Sequence, residues 1–368
     1  MPGVLIAIFS LAALLLSSCN KTPQPETTDS TKVRIGYVGL TCEASIFAAY
    51  ENGYFKDEGL EPELIKCSWH NYKDTLALDG YDVTQHLVMY FLKPIAEGMD
   101  AKFTGGIHRG CLRVQAANNS NINSIADLKG KRIGVPGIGT PPFMFASRTL
   151  RDSGIDAEKD VTWKAYRAGE LGLAVEKGEV DAVANAEPIG SLLLAKGTVH
   201  NVADQATQQP YSDEYCCEVV VNGKWMKAHP KAAAAATRAL LRGAKWVQTN
   251  PAAAAQLSVE KKYVASDAEL NAAAISHLNY IPSISKAESS IMTAAKGMQA
   301  ANMLAPTTNL DELVKRAFVQ LDGVTDEWIA QLQVKKVAGG QLPQNWKIKQ
   351  LAKAVVSEKD DCCRVETK

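Results

Sequence analysis

The chain has 368 residues, its 40 Lys and Arg balance its 40 Asp and Glu, and 46% of its residues are hydrophobic. A formal charge of zero excludes the broad basic surface of a nucleic-acid binder, because such binding neutralises phosphates with Lys and Arg. The length is enough to bury two sizeable hydrophobic cores. The composition therefore predicts a globular protein with two lobes.

The first residues, MPGVLIAIFSLAALLLSSCN, form an apolar stretch that is too short for a convincing membrane-spanning helix. It ends in Leu16-Ser17-Ser18-Cys19, which resembles the lipobox of bacterial lipoproteins, although no Lys or Arg precedes the apolar run. We expect a signal peptide over residues 1–19 and a lipid on Cys19, with a plain cleaved signal or a membrane anchor as alternatives. Residues 20–32 are polar and predict a flexible tether, so we expect an extracytoplasmic protein anchored to the membrane.

Strand-like and helix-like segments alternate beyond the tether. VRIGYVG, YDVTQH and AKFTGGIH predict strands, and ASIFAAYENGYF and LVMYFLKPIAEG predict helices. A second series follows, in which Ser124 fits an N-cap, KRIGVPG predicts a strand and two prolines open the helix PPFMFASRTLRDSG. This alternation predicts an α/β fold with mainly parallel sheets flanked by helices. Residues 227–304 are Ala-rich and predict helices, and residues 341–368 predict a loosely held tail.

Several motifs occur in an order that is typical of one group of binding proteins: VRIGYVG…IFAAYENGYFKDEGLEPELI, DVTQHLV, SIADLKGKRIGVPGIGT and KGEVDAVANAEP. Over about residues 33–304 the chain resembles substrate-binding proteins of ABC importers in the sulfonate/nitrate/taurine and thiamin-precursor group. The resemblance implies a two-lobed periplasmic-binding-protein type II fold with the ligand in a cleft between the lobes. One lobe would comprise residues 33–125 plus 225–340, and the other residues 126–224.

Polar and glycine residues follow the predicted strands. Ligands of open sheets collect beyond the C-terminal strand ends, where helix N-termini offer free backbone N–H groups. Gly139 and Thr140 lie in the loop GIGT, where the backbone can approach a ligand and the hydroxyl can donate, although the glycines could equally just turn the chain. Asn185 and Glu187 lie where the resembled family often contacts its ligand from the second lobe, and Glu187 could equally cap a helix.

The cysteines and histidines depart from the pattern of a routine anion binder. Eight cysteines are present, and seven remain when Cys19 is set aside, an odd number that cannot be fully paired within one chain. Cys42, next to Glu43, falls in the first predicted strand-end loop, and HRGC places His108 three residues before Cys111. Further thiols and imidazoles near predicted strand ends or the return crossover between the lobes are Cys67, His70, His86, Cys216 and Cys217.

Thiolate and imidazole groups are natural ligands of soft and borderline metals. The predicted metal donors are Cys216, Cys217, His108 and Cys111, within a predicted ligand-binding set of Cys42, Glu43, His86, His108, Cys111, Gly139, Thr140, Asn185, Glu187, Cys216 and Cys217. Two alternatives stay open: Cys42 or Cys67 pairs with another cysteine, or Cys216 and Cys217 form a vicinal disulfide. The tail pair Cys362 and Cys363 could add a second metal site or have no role.

These patterns predict a lipid-anchored, monomeric solute receptor of an ABC importer, with permease and ATPase partners and no required cofactor. The first expected cargo is a metal-containing or metal–sulfur species, and the alternative is a sulfonate, a nitrate-like anion or a thiamin pyrimidine precursor. An enzyme resembling the thiamin-pyrimidine synthases is a distant alternative. Those enzymes carry a run of closely spaced cysteines, and HRGC is the nearest match to it in this chain. A sensor or adhesion lipoprotein is a third class, which the sequence does not separate from a transport receptor.

Overall fold

The computed structural model describes residues 30–69 and 71–341. The predicted signal peptide with Cys19, tether residues 20–29, His70 and the pair Cys362 and Cys363 lie outside the described residues. Within the described ranges, no helix combines the length and the apolar character needed to cross a membrane.

The first sheet has six strands in the order β11-β4-β10-β3-β1-β2. Its parallel pairs are β1 with β2 and β1 with β3, and β10 and β11 run antiparallel to their neighbours. The strands are β1 (Lys32–Tyr37), β2 (Glu61–Lys66), β3 (Val83–Leu87), β4 (Ala101–Arg109), β10 (Tyr215–Asn222) and β11 (Asn279–Ser283).

The second sheet has five strands in the order β7-β6-β8-β5-β9. Strand β6 pairs in parallel with β7 and β8, whereas β5 runs antiparallel to β8 and β9. The strands are β5 (Leu112–Ala117), β6 (Arg132–Val135), β7 (Thr162–Ala165), β8 (Ala182–Ala186) and β9 (Val199–Asp204).

Helices cover the sheets because each buries an apolar stripe against them. Strands β3, β8 and β10 are buried at every position, as expected for central strands covered on both faces. The helices are α1 (Ala44–Glu51), α2 (Tyr54–Asp57), α3 (Tyr72–Ala77), α4 (Val88–Ala96), α5 (Pro141–Asp152), α6 (Leu171–Glu176), α7 (Ile189–Ala195), α8 (Gly223–Ala228), α9 (Pro230–Thr249), α10 (Pro251–Glu260), α11 (Ala268–His277), α12 (Ser285–Ala300), α13 (Leu310–Ala317) and α14 (Asp326–Gln331).

The predicted α/β class with two sheet-based lobes is confirmed: four of the six strands of the first sheet and four of the five strands of the second run in one direction, and each sheet also contains antiparallel pairs. The antiparallel members include β5 and β10, which are the strands that enter a sheet directly after the chain leaves the other one. Alternation of strands and helices along the chain carries no information on the direction of these strands, because their partners are distant in sequence.

The chain passes between the sheets at two short crossovers, after Arg109 and after Asp204. The positions of these crossovers differ from the predicted lobe boundaries at 125/126 and 224/225, because β5 pairs within the second sheet and β10 within the first. The two crossovers touch: Gly110 has a φ of +64°, and a Cβ there would lie 2.5 Å from the Cα of Ala206. Glycine is therefore required at this point by both its backbone conformation and the close approach.

Candidate ligand site at the crossovers

The strand ends of both sheets meet at the first crossover. In the first sheet, β10 runs antiparallel to β3 and β4, so that its first residues lie beside their last ones: Glu218 pairs with His86, and Cys217 pairs with His108. In the second sheet, Leu112 at the start of β5 pairs with Ala186 at the end of β8. Residues 110–111 join the two edges, and this is where the predicted site residues converge.

Four thiols and one imidazole form a buried group at this junction. Ligand atoms of Cys42, His108 and Cys217 all lie within 4.8 Å of one another. Hydrogen bonds between thiols extend the group, because Cys111 interacts with Cys42 and Cys216, and Cys217 interacts with Cys42 and Cys216. The four sulfurs therefore form a closed ring of hydrogen bonds, and no disulfide links any cysteine of the described residues.

The adjacent Cys216 and Cys217 both join this ring because the strand that carries them is irregular. Successive side chains of a regular strand point to opposite faces. In β10 the register with β4 shifts on both sides of Cys217, which is the signature of a bulge. Bulges change the direction in which a side chain points and are frequent next to functional sites. The vicinal disulfide that the sequence left open is absent.

The thiols differ in acidity. The pKa of Cys111 lies well below its usual range because the Cys216 and Cys42 thiols both hydrogen-bond to its sulfur, which outweighs the opposing effect of burial. The pKa of Cys42 is raised, first because its thiol donates to Cys111, and burial is the largest cause of the raised pKa values of Cys216 and Cys217. Cys111 is therefore the member of the group that carries negative charge most readily.

Glu43 occupies the backbone donors beyond the first strand. Its carboxylate accepts hydrogen bonds from the backbone N–H groups of Val38, Gly39 and Leu40 at 2.7–3.1 Å. Burial raises the pKa of Glu43 to about 7, and these three N–H groups oppose that rise. A free anion could use the same donors only by displacing this side chain.

Glu187 is part of a buried ion-pair network in the second lobe. It lies 2.6 Å from Arg113, whose Nε also donates to Asp204 at 3.1 Å. Its carboxylate accepts from the backbone N–H of Ser191 in the first turn of α7, so Glu187 acts at the helix start, one of the two roles that the sequence left open. Burial raises the pKa of Glu187, and Arg113 opposes the rise.

Several buried polar atoms near the junction have no hydrogen-bonding partner among the described residues. They are both ring nitrogens of His86, His108 Nε2, Arg109 Nε, Arg148 Nε, Asn185 Oδ1 and both carboxylate oxygens of Glu218. Burial raises the pKa of Glu218 to about 8. In folded proteins such atoms nearly always have a partner, so their accumulation in both lobes makes this region a candidate ligand site.

His86 is surrounded by aromatic rings, with centroids 4.3 Å from Tyr72 and 5.2 Å from Tyr90, and burial lowers its pKa to about 3. Because the unfolded state binds a proton below pH 6.5 and the folded state does not, stability falls as the pH decreases from 6.5 towards 3. We expect His86→Phe to remove this loss, a gain over the parent of about 2 kcal/mol at pH 5. Urea unfolding at several pH values measures this gain in stability. Parallel curves of stability against pH for the parent and the variant would contradict the prediction.

The remaining predicted residues lie away from the thiols or have other partners. Thr140 donates to Gly137 within its own loop at 2.6 Å, and Gly139 lines a groove of about 290 Å³ together with side chains of α4 and α5. Cys67 is half-buried, and its thiol contacts the carbonyl of Ile65 at 3.7 Å. The amide nitrogen of Asn185 donates to Gln115 at 2.8 Å.

Sequence reasoning missed the buried charges that surround the site. Arg113, Arg148, Glu214 and Glu218 are each at most 3% exposed. Arg113 and Glu218 are the charged residues of the largely apolar strand segments LRVQAA and YCCEVVVN, which is a signal that could have found them. Cys42 was predicted as a ligand contact but not as a metal donor, and it contacts two other thiols of the group.

Two sheet-based lobes, joined by two crossovers with buried polar groups at the strand ends, define a periplasmic-binding-protein type II fold. Solved structures with this fold include an alkanesulfonate-binding protein from Xanthomonas axonopodis pv. citri bound to MOPS (17% identity, 79% of this chain and 99% of that chain covered, TM-score 0.65). They also include the periplasmic nitrate-binding protein of Synechocystis PCC 6803 (15%, 78% and 86%, TM-score 0.67). A third is the ligand-binding component of an ABC-type import system of Staphylococcus aureus with zinc bound (16%, 78% and 99%, TM-score 0.62).

The model of the NMT1-like family matches residues 26–260, which is more than half of the 368 residues. The chain therefore belongs to the NMT1-like family. No curated protein matches it. The resemblance that the motifs indicated, to binding proteins of the sulfonate and nitrate group, is confirmed.

Proposed function

We propose that this protein is the solute-binding receptor of an ABC importer, which holds a small solute between its lobes and delivers it to a permease driven by an ATPase. The observation that carries the proposal is the set of unpartnered buried polar atoms, since they come from both lobes. A solute that contacts both lobes stabilises their closed arrangement by differential affinity. The role is binding without catalysis, as the names of the structural neighbours support.

The first candidate cargo is a small sulfonate or a nitrate-like anion. The sequence predicted such an anion as the alternative cargo. The alkanesulfonate-binding and nitrate-binding neighbours support an anion better than the metal–sulfur species, which was the first expected cargo. Arg109 offers a buried Nε without an acceptor. A guanidinium donor suits sulfonate and nitrate oxygens, so Arg109 is the residue best suited to an anionic cargo, whereas the guanidinium of Arg148 is already occupied by Glu214.

A specific observation favours a second class of cargo, a species that contains a soft metal. Four thiols and His108 lie together at the junction. The backbone donors at which an anion would ordinarily bind are already occupied by Glu43 and Glu187, which are carboxylates of the protein itself. The Staphylococcus aureus neighbour, whose structure has zinc bound, is consistent with this class.

The receptor role includes a location and a state of assembly. We propose an extracytoplasmic monomer that is held at the membrane by a lipid on Cys19. Mass spectrometry of the protein extracted from membranes tests this part, because a lipid-modified N-terminal Cys19 changes the mass of the first peptide. An unmodified peptide that begins elsewhere would contradict the anchor while leaving the binding role untouched.

Titration calorimetry of the purified protein with nitrate, taurine, an alkanesulfonate and an aminopyrimidine tests the cargo. We expect one of the anions to bind with a stoichiometry of one, and Arg109→Gln to weaken its binding. The matched control is Arg132→Gln, since Arg132 lies on the surface of the second lobe in a pair with Asp181. Binding of a metal without any anion would select the second class, and binding of none of these solutes would contradict the receptor role.

A further inference from the structure

We infer that Cys42, Cys111, Cys216 and Cys217, together with His108, form a binding site for one soft metal ion of the Zn(II) or Cu(I) class. The inference rests on the proposed function only in treating this ion as cargo, or as part of the cargo, of the receptor. The site itself stands on the geometry of the donors, their burial and the unpartnered atom among them.

The donors already lie close to the separations that a metal requires. With Zn–S bonds of about 2.3 Å, two sulfurs of a tetrahedral site lie about 3.8 Å apart. The ligand atoms of Cys42, His108 and Cys217 lie within 4.8 Å of one another, and hydrogen bonds connect these two thiols to those of Cys111 and Cys216. A contraction of the ring around a central ion therefore requires only small side-chain movements.

His108 carries an independent indication of a ligand. Its side chain is fully buried, and its Nε2 has no partner among the described residues. Its Nδ1 lies 3.3 Å from the carbonyl oxygen of Arg109. Metal-binding histidines usually donate their second ring N–H to a carbonyl or carboxylate, which orients the ring and leaves the other nitrogen for the metal. His108 has this arrangement, with Nε2 as the available nitrogen.

The site depends on both crossovers. Cys111 lies in the first crossover, between β4 and β5, and Cys216 is the second residue of β10, the strand that follows the second crossover. The backbone N–H of Glu187, from the second lobe, hydrogen-bonds to the Cys111 sulfur. An ion bound here is linked to the second lobe through Cys111 and the Glu187 N–H, so its binding and the closed arrangement of the lobes stabilise each other.

Coordination replaces S–H protons with the metal. Each donor that is still a thiol loses its proton to solvent when it binds the ion, a donor that is already a thiolate releases none, and no electron is transferred. Soft thiolates select Zn(II) and Cu(I) over Mg(II) and Ca(II), which prefer oxygen ligands. Mg(II) therefore serves as the negative control.

The test titrates the anaerobically purified protein with Zn(II) or Cu(I) in competition with a chromophoric chelator, and records X-ray absorption of the loaded protein. We expect one ion per chain, sulfur and one nitrogen in its first coordination sphere, and no binding of Mg(II). Cys42→Ala and Cys217→Ala should each weaken binding at least about 10-fold, the lower limit known for residues that only support a metal site.

The matched control is Cys67→Ala, because Cys67 is the described cysteine outside the ring. Weakening by this control equal to that of Cys42→Ala would overturn the inference, as would a first coordination sphere of oxygen in the unaltered protein, a measurement that does not depend on whether any variant folds. Anion calorimetry on the same samples separates the two proposals. Anion binding without metal binding would overturn the metal site alone, and absence of both would overturn the receptor role as well.

Discussion

Replacing Arg113 by leucine is expected to lower the free energy of unfolding by about 3–5 kcal/mol, because it leaves two buried carboxylates without their counter-charge. Arg113 is 2% exposed and lies 2.6 Å from Glu187 and 3.1 Å from Asp204. Neither carboxylate can return to water without unpacking the end of β9 or the start of α7. Urea denaturation at pH 7 measures the loss.

The second lobe supplies a matched control for this experiment. Arg132 and Asp181 form a similar pair at 2.8 Å, but their side chains are 41% and 29% exposed. Exposed pairs contribute little, so we expect Arg132→Leu to cost at most about 1 kcal/mol. Equal losses for the two arginine variants would contradict the role given to the buried network.

Arg148→Leu is expected to lower the free energy of unfolding by a similar amount, about 3–5 kcal/mol. It leaves a buried carboxylate without its counter-charge, and it also breaks a contact between the lobes. Arg148 in α5 makes two hydrogen bonds with Glu214, at 2.7 and 2.8 Å, and both side chains are nearly buried. The same guanidinium reaches Met89 in α4, and it fills the space beside Gly297 in α12. One side chain thus joins the second lobe to two helices of the first.

A double-mutant cycle with Glu214→Leu measures this pair. Because replacing a buried ion pair with apolar side chains is often neutral, the double variant should be more stable than either single variant. The expected coupling energy is about 2–3 kcal/mol. Additive losses would mean that the pair is not energetically linked and that each residue acts through packing alone.

The sequence predicted much of the buried group of thiols and His108 because its chemistry is local. HRGC and YCCEVV bring together residue types that bind soft metals, and both motifs reach the junction. His86 was predicted from the same strand-end logic, yet its ring lies among aromatic side chains and outside the metal group. The periodicity that places a residue at a strand end does not say to which face of the sheet its side chain points when neighbouring strands carry bulges.

The roles of Cys42 and Glu43 illustrate the same limit. Both were predicted to contact the ligand from the first strand-end loop. In the fold they are adjacent but act differently, since the Cys42 thiol joins the ring and the Glu43 carboxylate caps three backbone N–H groups. Only the backbone conformation after β1 decides which of two neighbouring side chains turns towards the other thiols.

The sequence by itself determined the α/β class, the two lobes and the residue types gathered at the strand ends, because these follow from local periodicity and from the family's order of motifs. Only the tertiary structure decided that β5 belongs to the second sheet and β10 to the first, that four thiols form a ring, and that Arg113 and Arg148 are buried with carboxylates. The physical reason is that these contacts join segments up to about 175 residues apart, such as Cys42 and Cys217. Their approach is fixed by strand pairing and register across the whole chain rather than by any local pattern.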